Sequence, residues 1–225
     1  MLLLALLAAT LQGAPVTSGP LIPRPEPPRL DFFRADWQTL NGAWGFAFDD
    51  EGRGLAEGWS LPENQAPFTR TIVVPYAFQT KLSGIGDLSF HDVVWYRRLL
   101  RIPEAWRGRH VLLHFGAVDY EAQVFLNGRA VGNHQGGQAS FSFDVTQALR
   151  PGDNVLVVRV WDPSADRSLP RGKQYWKEKS ESIFYTRTTG LWQPVWIEAT
   201  GAVHAEGQRS LRPEALGQRQ GEETH

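Results

Sequence analysis

The chain has 225 residues, 42% of them hydrophobic, with a formal net charge of -1 and no cysteine. That length suits one large domain whose core buries roughly 70% of the unfolded surface. Near-neutral charge removes the electrostatic case for nucleic acid or an acidic membrane surface, and the lack of cysteine excludes disulfides, thiolate metal sites and a cysteine nucleophile.

Residues 1–30 read as a signal-like apolar stretch and a proline-rich lead. Leu2–Leu11 is apolar and is followed by small residues near Gly13-Ala14, which fits a cleaved export signal. A mispredicted start or a disordered tail are the alternatives, and the run is too short to span a membrane. Export places the protein in a periplasm or outside the cell; without it the protein is cytoplasmic. Residues 15–30 form an extended connector.

Trp44, Phe46 and Phe48 alternate with Gly45 and Ala47, predicting a first strand that ends at the turn Asp49-Asp50-Glu51-Gly52. Residues 53–70 are irregular, Thr71–Pro75 is a short strand, and 76–93 is a long loop without a clean period. A loop of that length, rich in aromatic and apolar residues, is expected to be functional rather than disordered. Val94–Ile102 reads as a strand carrying Arg97 and Arg98 on opposite faces. One of the two arginines is expected to pair with Asp119 or Glu121 across the sheet. Trp106 is expected to plug the turn that follows.

In 109–145 three runs have a period of two: Val111, Leu113, Phe115; Ala122, Val124, Leu126; and Phe141, Phe143, Val145. Asn127-Gly128, after the second run, predicts a two-residue hairpin turn with positive φ angles. A short helical turn opens 146–154 and a tight turn closes it. Val155–Trp161 is apolar on both faces except at Arg159, as in a central strand. Residues 162–182 form a second long loop, Thr189-Gly190 a turn, and Val195–Ala199 a last strand. The polar stretch 200–225 is expected to be a disordered tail or a truncated linker. The total, about eight to ten antiparallel strands with no substantial helix, predicts an all-β sandwich of two packed sheets. The polar variety lies in the loops 76–93 and 162–182, so a site is expected where they meet at one sheet edge.

Several motifs carry a resemblance. They are Leu40-Asn41-Gly42-Ala43-Trp44 with Phe46, Val74-Pro75-Tyr76, Val94-Trp95-Tyr96-Arg97-Arg98 and Phe115-Gly116-Ala117-Val118-Asp119-Tyr120. Val124-Phe125-Leu126-Asn127-Gly128 with Val131-Gly132, and Arg187-Thr188-Thr189-Gly190-Leu191-Trp192-Gln193-Pro194-Val195-Trp196, complete the set. In this order and spacing they resemble the N-terminal sugar-binding jelly-roll domain of glycoside hydrolase family 2, the family of β-galactosidases, β-glucuronidases and β-mannosidases. The resemblance covers residues 31–199 and implies a galactose-binding-like jelly roll.

In the family, an immunoglobulin-like domain and a (β/α)8 barrel follow, and the barrel supplies the acid/base and nucleophile glutamates. Retaining hydrolysis needs two carboxyl groups ~5–5.5 Å apart, so this chain without a barrel is not expected to complete the reaction. The implied partners are a β-glycoside or oligosaccharide and the missing domains. A stand-alone, non-catalytic carbohydrate-binding module is the alternative, and a degenerate fragment with an exposed interface a third.

By resemblance, Asp162 at a strand end contacts sugar hydroxyls and a sodium ion, although Asp162-Pro163 also fits a simple Asx-turn. His91 falls near a substrate-contacting asparagine of family members, with Asp92 beside it; a histidine hydrogen-bonded to the loop backbone is the alternative. Trp176 is a candidate sugar-stacking residue or a cover for the barrel. Arg187, Gly190, Trp192 and Trp196 resemble the segment that packs on the next domains, with the tryptophans as a hydrophobic seam. No catalytic residue and no organic cofactor are implied; sodium and magnesium are the family's ions.

Overall fold

A computed structural model describes residues 22–27 and 35–201. The signal-like stretch and the polar tail lie outside the described residues, apart from Thr200 and Gly201. The strands are β1 (Trp37–Thr39), β2 (Gly42–Phe48), β3 (Arg70–Val74), β4 (Val93–Arg101), β5 (His110–Phe115) and β6 (Val118–Asp119). They continue with β7 (Glu121–Leu126), β8 (Arg129–Gln135), β9 (Phe141–Asp144), β10 (Asp153–Trp161), β11 (Gly190–Leu191) and β12 (Val195–Thr200). The strands not anticipated, β1, β6 and β11, are two or three residues long, too short to show a period.

Two antiparallel sheets face each other, one in the order β1-β12-β5-β9 and the other β3-β2-β4-β10-β7-β8, with a small β11-β6 ribbon at one end. Alternation explains the layering. Trp44, Phe46, Tyr96, Val124, Leu156 and Val158 from the larger sheet and Val111, Leu113, Phe115 and Ile197 from the smaller are all buried in one cluster. Their removal from water is the main source of stability. β10 is central, between β4 and β7, which is why its residues are apolar on both faces. Its outward Val155 and Val157 join Trp95 and Ala47 in a second cluster, with Trp59 and Phe68 of the 53–70 segment packed against it.

Turn chemistry sets the register. Asn127 and Gly128 have φ of 54° and 80°, as a type I′ hairpin between β7 and β8 requires. The Asn127 amide also donates to Ala148 O and Asn154 Oδ1, both at 2.8 Å, which ties that hairpin to the turn before β10. Trp106, in a 3-10 turn at Glu104–Trp106, is 5% exposed and plugs the core.

The arginines of β4 correct one expectation. Arg97 donates to Pro62 O at 2.7 Å, while Arg98 donates to Ala43 O at 2.9 Å and lies over Trp44. Neither pairs with Asp119 or Glu121. β10 separates β4 from β7, so Glu121 is two strand spacings away, about 10 Å.

Candidate functional site

The site forms where the two long loops meet, beside the ends of β4 and β10. The first loop is pinned from within. Phe78 is fully buried against Phe46 and Phe48. Thr80 caps a 3-10 turn at Lys81–Ser83 by accepting from Ser83 N, and Gly84 closes that turn at φ 84°. His91 stacks on Phe48 with ring centroids 3.6 Å apart, and its Nδ1 lies 2.8 Å from Asp50 Oδ1. The backbone carbonyl of Asp92 accepts from Asp162 N, and its carboxylate accepts from Ser164 N, each at 2.8 Å. The loops therefore join at the strand ends.

Arg187 fastens them farther out. Its guanidinium is 2% exposed, donates to Lys177 O at 2.6 Å and Leu88 O at 2.5 Å, and lies over the Phe90 ring. One planar group with several donors can satisfy carbonyls of both loops at once. Burial pulls its pKa down, with Asp162 and Glu178 opposing that.

Behind the junction lies a polar network. Asp162, 1% exposed, accepts from Thr189 Oγ1 at 2.5 Å and from Arg171 at 3.1 Å, and Arg171 also donates to Pro163 O. Burial raises the Asp162 pKa against these two partners. Asp119, 6% exposed, accepts from Gln174 Nε2 at 2.7 Å, and Gln174 Oε1 accepts from Thr188 N at 2.7 Å. Gly137 packs so closely on the Asp119 carboxylate that a Cβ there would overlap it. Burial, and secondly the nearby Asp162 charge, push the Asp119 pKa from 3.8 to about 6.

In front of this network opens a cleft of about 380 Å³, lined by Asp50, Glu51, Gly52, Phe90, Asp92 and Ala165 among others. Buried Ser164, next to Ala165, keeps an Oγ with no hydrogen-bond partner among the described residues. Carboxylates beside an aromatic ring suit a polyhydroxylated ligand, which offers donors along its edge and an apolar face.

Residues 37–180 match the family described as glycosyl hydrolases family 2, sugar binding domain. The chain belongs to glycosyl hydrolase family 2. A β-glucuronidase of Canis lupus familiaris is 31% identical over 215 residues, covering 86% of this chain and 32% of that protein. A β-galactosidase of Arthrobacter sp. (strain B7) is 38% identical over 150 residues, 63% of this chain and 14% of that one. Among solved structures, a β-glucuronidase of an uncultured Clostridium sp. superposes with a TM-score of 0.58 at 26% identity, covering 76% of this chain and 30% of that chain. The chain thus spans less than a third of the length of each of these relatives. Its fold is that of the family's jelly-roll β-sandwich.

Within this family 2 domain the expected site residues divide. Asp92 lines the cleft, and His91 stands behind it as a brace held by carboxylates rather than by loop backbone. Asp162 lies directly behind, but both its oxygens are taken by Arg171 and Thr189. A cation at that carboxylate would meet the guanidinium, and no group of three potential metal-ligating side chains occurs among the described residues. As they stand, these residues do not fit a sodium ion. Trp176 is half-buried, packed edge-on to Tyr175 and Phe184 with Arg167 over its ring, outside the cleft. Gly190 has φ 92° and packs under Tyr96. The tryptophan seam is not an open face. Trp192 donates to Gly137 O at 2.9 Å, and Trp196 is 7% exposed and stacked on His114. Arg171, Thr189, Gln174 and Asp119 were not among the candidates, because their partners lie up to 55 residues away in sequence.

The buried acid has a consequence for pH. Ionising Asp119 costs more in the folded chain than in the unfolded one, so its penalty is complete above pH about 6 and disappears below 3.8. Asp119→Asn keeps an oxygen for Gln174 and removes the penalty. The variant is expected to gain on the order of 2 kcal/mol at pH 7.5 and little at pH 4. Urea unfolding at the two pH values measures this; an equal change at both contradicts it.

Proposed function

We propose that this domain forms one wall of the sugar pocket of a family 2 β-glycosidase and braces the catalytic part of that enzyme through its loop edge. The acid and nucleophile of hydrolysis then come from outside these 225 residues. The observation that carries this reading is the sealing of the acids behind the cleft. Asp119 and Asp162 are 6% and 1% exposed and committed to Gln174, Arg171 and Thr189. A carboxyl group must reach the glycosidic oxygen to protonate it, and these two do not reach solvent.

The same edge carries exposed apolar side chains, with Leu88 and Phe90 at 41% and 39% and Ile183 and Tyr185 at 64% and 68%. These are contacts suited to a neighbouring domain rather than to water. Among the described residues, no helix is long and apolar enough to cross a membrane.

The test is incubation of the purified chain with nitrophenyl β-galactoside, β-glucuronide and β-mannoside. No release above the buffer rate is expected. Turnover that co-purifies with the chain and is abolished by Asp92→Asn would overturn the proposal.

A further inference from the structure

The outward face of the larger sheet carries a second polar surface, which starts at the loop end of β10 and lies beside the apolar cluster of that face. β10, β7 and β8 are adjacent, and their register lines up two cross-strand rows: Trp161 with Glu121 and Gln135, and Arg159 with Gln123 and Asn133. The opposite faces of the same strands, Val160, Ala122, Val158 and Val124, lie in the core. All six side chains therefore lie on the outward face, where Trp161 also packs against the second apolar cluster. Asn133 and Gln135 are exposed, and the other four are half-buried.

Only one hydrogen bond links the six, from Gln123 Nε2 to Glu121 Oε1 at 3.4 Å. Arg159 has no ion pair, hydrogen bond or ring contact among the described residues, although it is half-buried at the centre of a sheet. A guanidinium without an acceptor among the described residues is unspent binding capacity.

Strand spacing makes this patch about 10 Å across the strands and about 7 Å along them, the footprint of one or two sugar rings. The side chains match such a ligand. Three amides and a carboxylate address hydroxyl groups, Trp161 supplies apolar surface, and a forked guanidinium fits a carboxylate. Among the described residues Arg159 is the one cation of this patch, and beside Glu121 it is too little for a nucleic acid backbone.

We propose that this face binds an acidic oligosaccharide, with a uronic acid carboxylate on Arg159 and ring hydroxyls on Gln123, Asn133 and Gln135. The site does not depend on whether the loop edge borders a catalytic pocket.

The test is calorimetric titration of the full chain with a tetragalacturonate and with the same oligosaccharide after reduction of its carboxylates to alcohols. Saturable binding is expected, about tenfold tighter for the acidic form. Arg159→Gln should bring the acidic ligand down to the level of the reduced one. Asn133→Ala with Gln135→Ala should weaken both ligands several-fold. Because the side chains of Arg159, Asn133 and Gln135 have no hydrogen-bond or ion-pair partner among the described residues, melting temperatures should not move, which separates lost binding from lost structure. Absence of saturable binding, equal affinity for the two ligands, or acidic-ligand binding unchanged in Arg159→Gln overturns the proposal. An Arg159→Gln variant that alters only self-association of the chain overturns it as well.

Discussion

Gly190→Ala is expected to destabilise the chain by about 3 kcal/mol or more. Two costs combine. At φ 92° a residue with a Cβ is strained, at roughly 1–2 kcal/mol. The added methyl would also overlap the Tyr96 hydroxyl, and overpacking of a tight interior adds about 1–3 kcal/mol. Tyr96 cannot withdraw. It is fully buried, edge-on to Trp44 and Phe46, and its hydroxyl accepts from Leu191 N at 3.3 Å. Urea unfolding should show the loss as a lower midpoint with an unchanged slope. Tyr96→Phe in the Gly190→Ala background should recover part of it, because removing the oxygen makes room for the methyl. A loss under 1 kcal/mol in the single variant would mean that the turn relaxes without strain.

Arg187→Met carries the second large effect. The substitution keeps the apolar stem but leaves the Lys177 and Leu88 carbonyls without their donor and Phe90 without the cation over its ring. A fully buried unpaired carbonyl costs about 1–3 kcal/mol; these two are only partly buried, so a total on the order of 2 kcal/mol is expected. The damage should be local. Hydrogen exchange and proteolysis should accelerate in 76–93 and 162–189, while β4, β7 and β10 stay protected. Arg187→Lys should restore only part, because a single ammonium lacks the planar fork that spans two loops. Equal exchange in both loops of wild type and Arg187→Met would show that they are held by other contacts.

The strand alternation of 109–145, the Asn127-Gly128 hairpin, the central position of Val155–Trp161 and the plug at Trp106 were all legible in the sequence. Each is a local signal, since a period of two or a turn dipeptide acts within a few residues and owes little to the rest of the chain. The meeting of the two long loops at one edge was also legible, because polar, aperiodic segments between strands have nowhere else to go.

Tertiary structure alone decided the partners. Arg97 and Arg98 reach carbonyls on neighbouring segments, and Asp162 is closed behind Arg171 and Thr189 instead of facing outward. The row of Arg159, Gln123 and Asn133 exists only through the pairing of three strands. Register sets which side chains stand side by side across a sheet, and it is fixed by contacts between residues far apart in the chain, which no local pattern records.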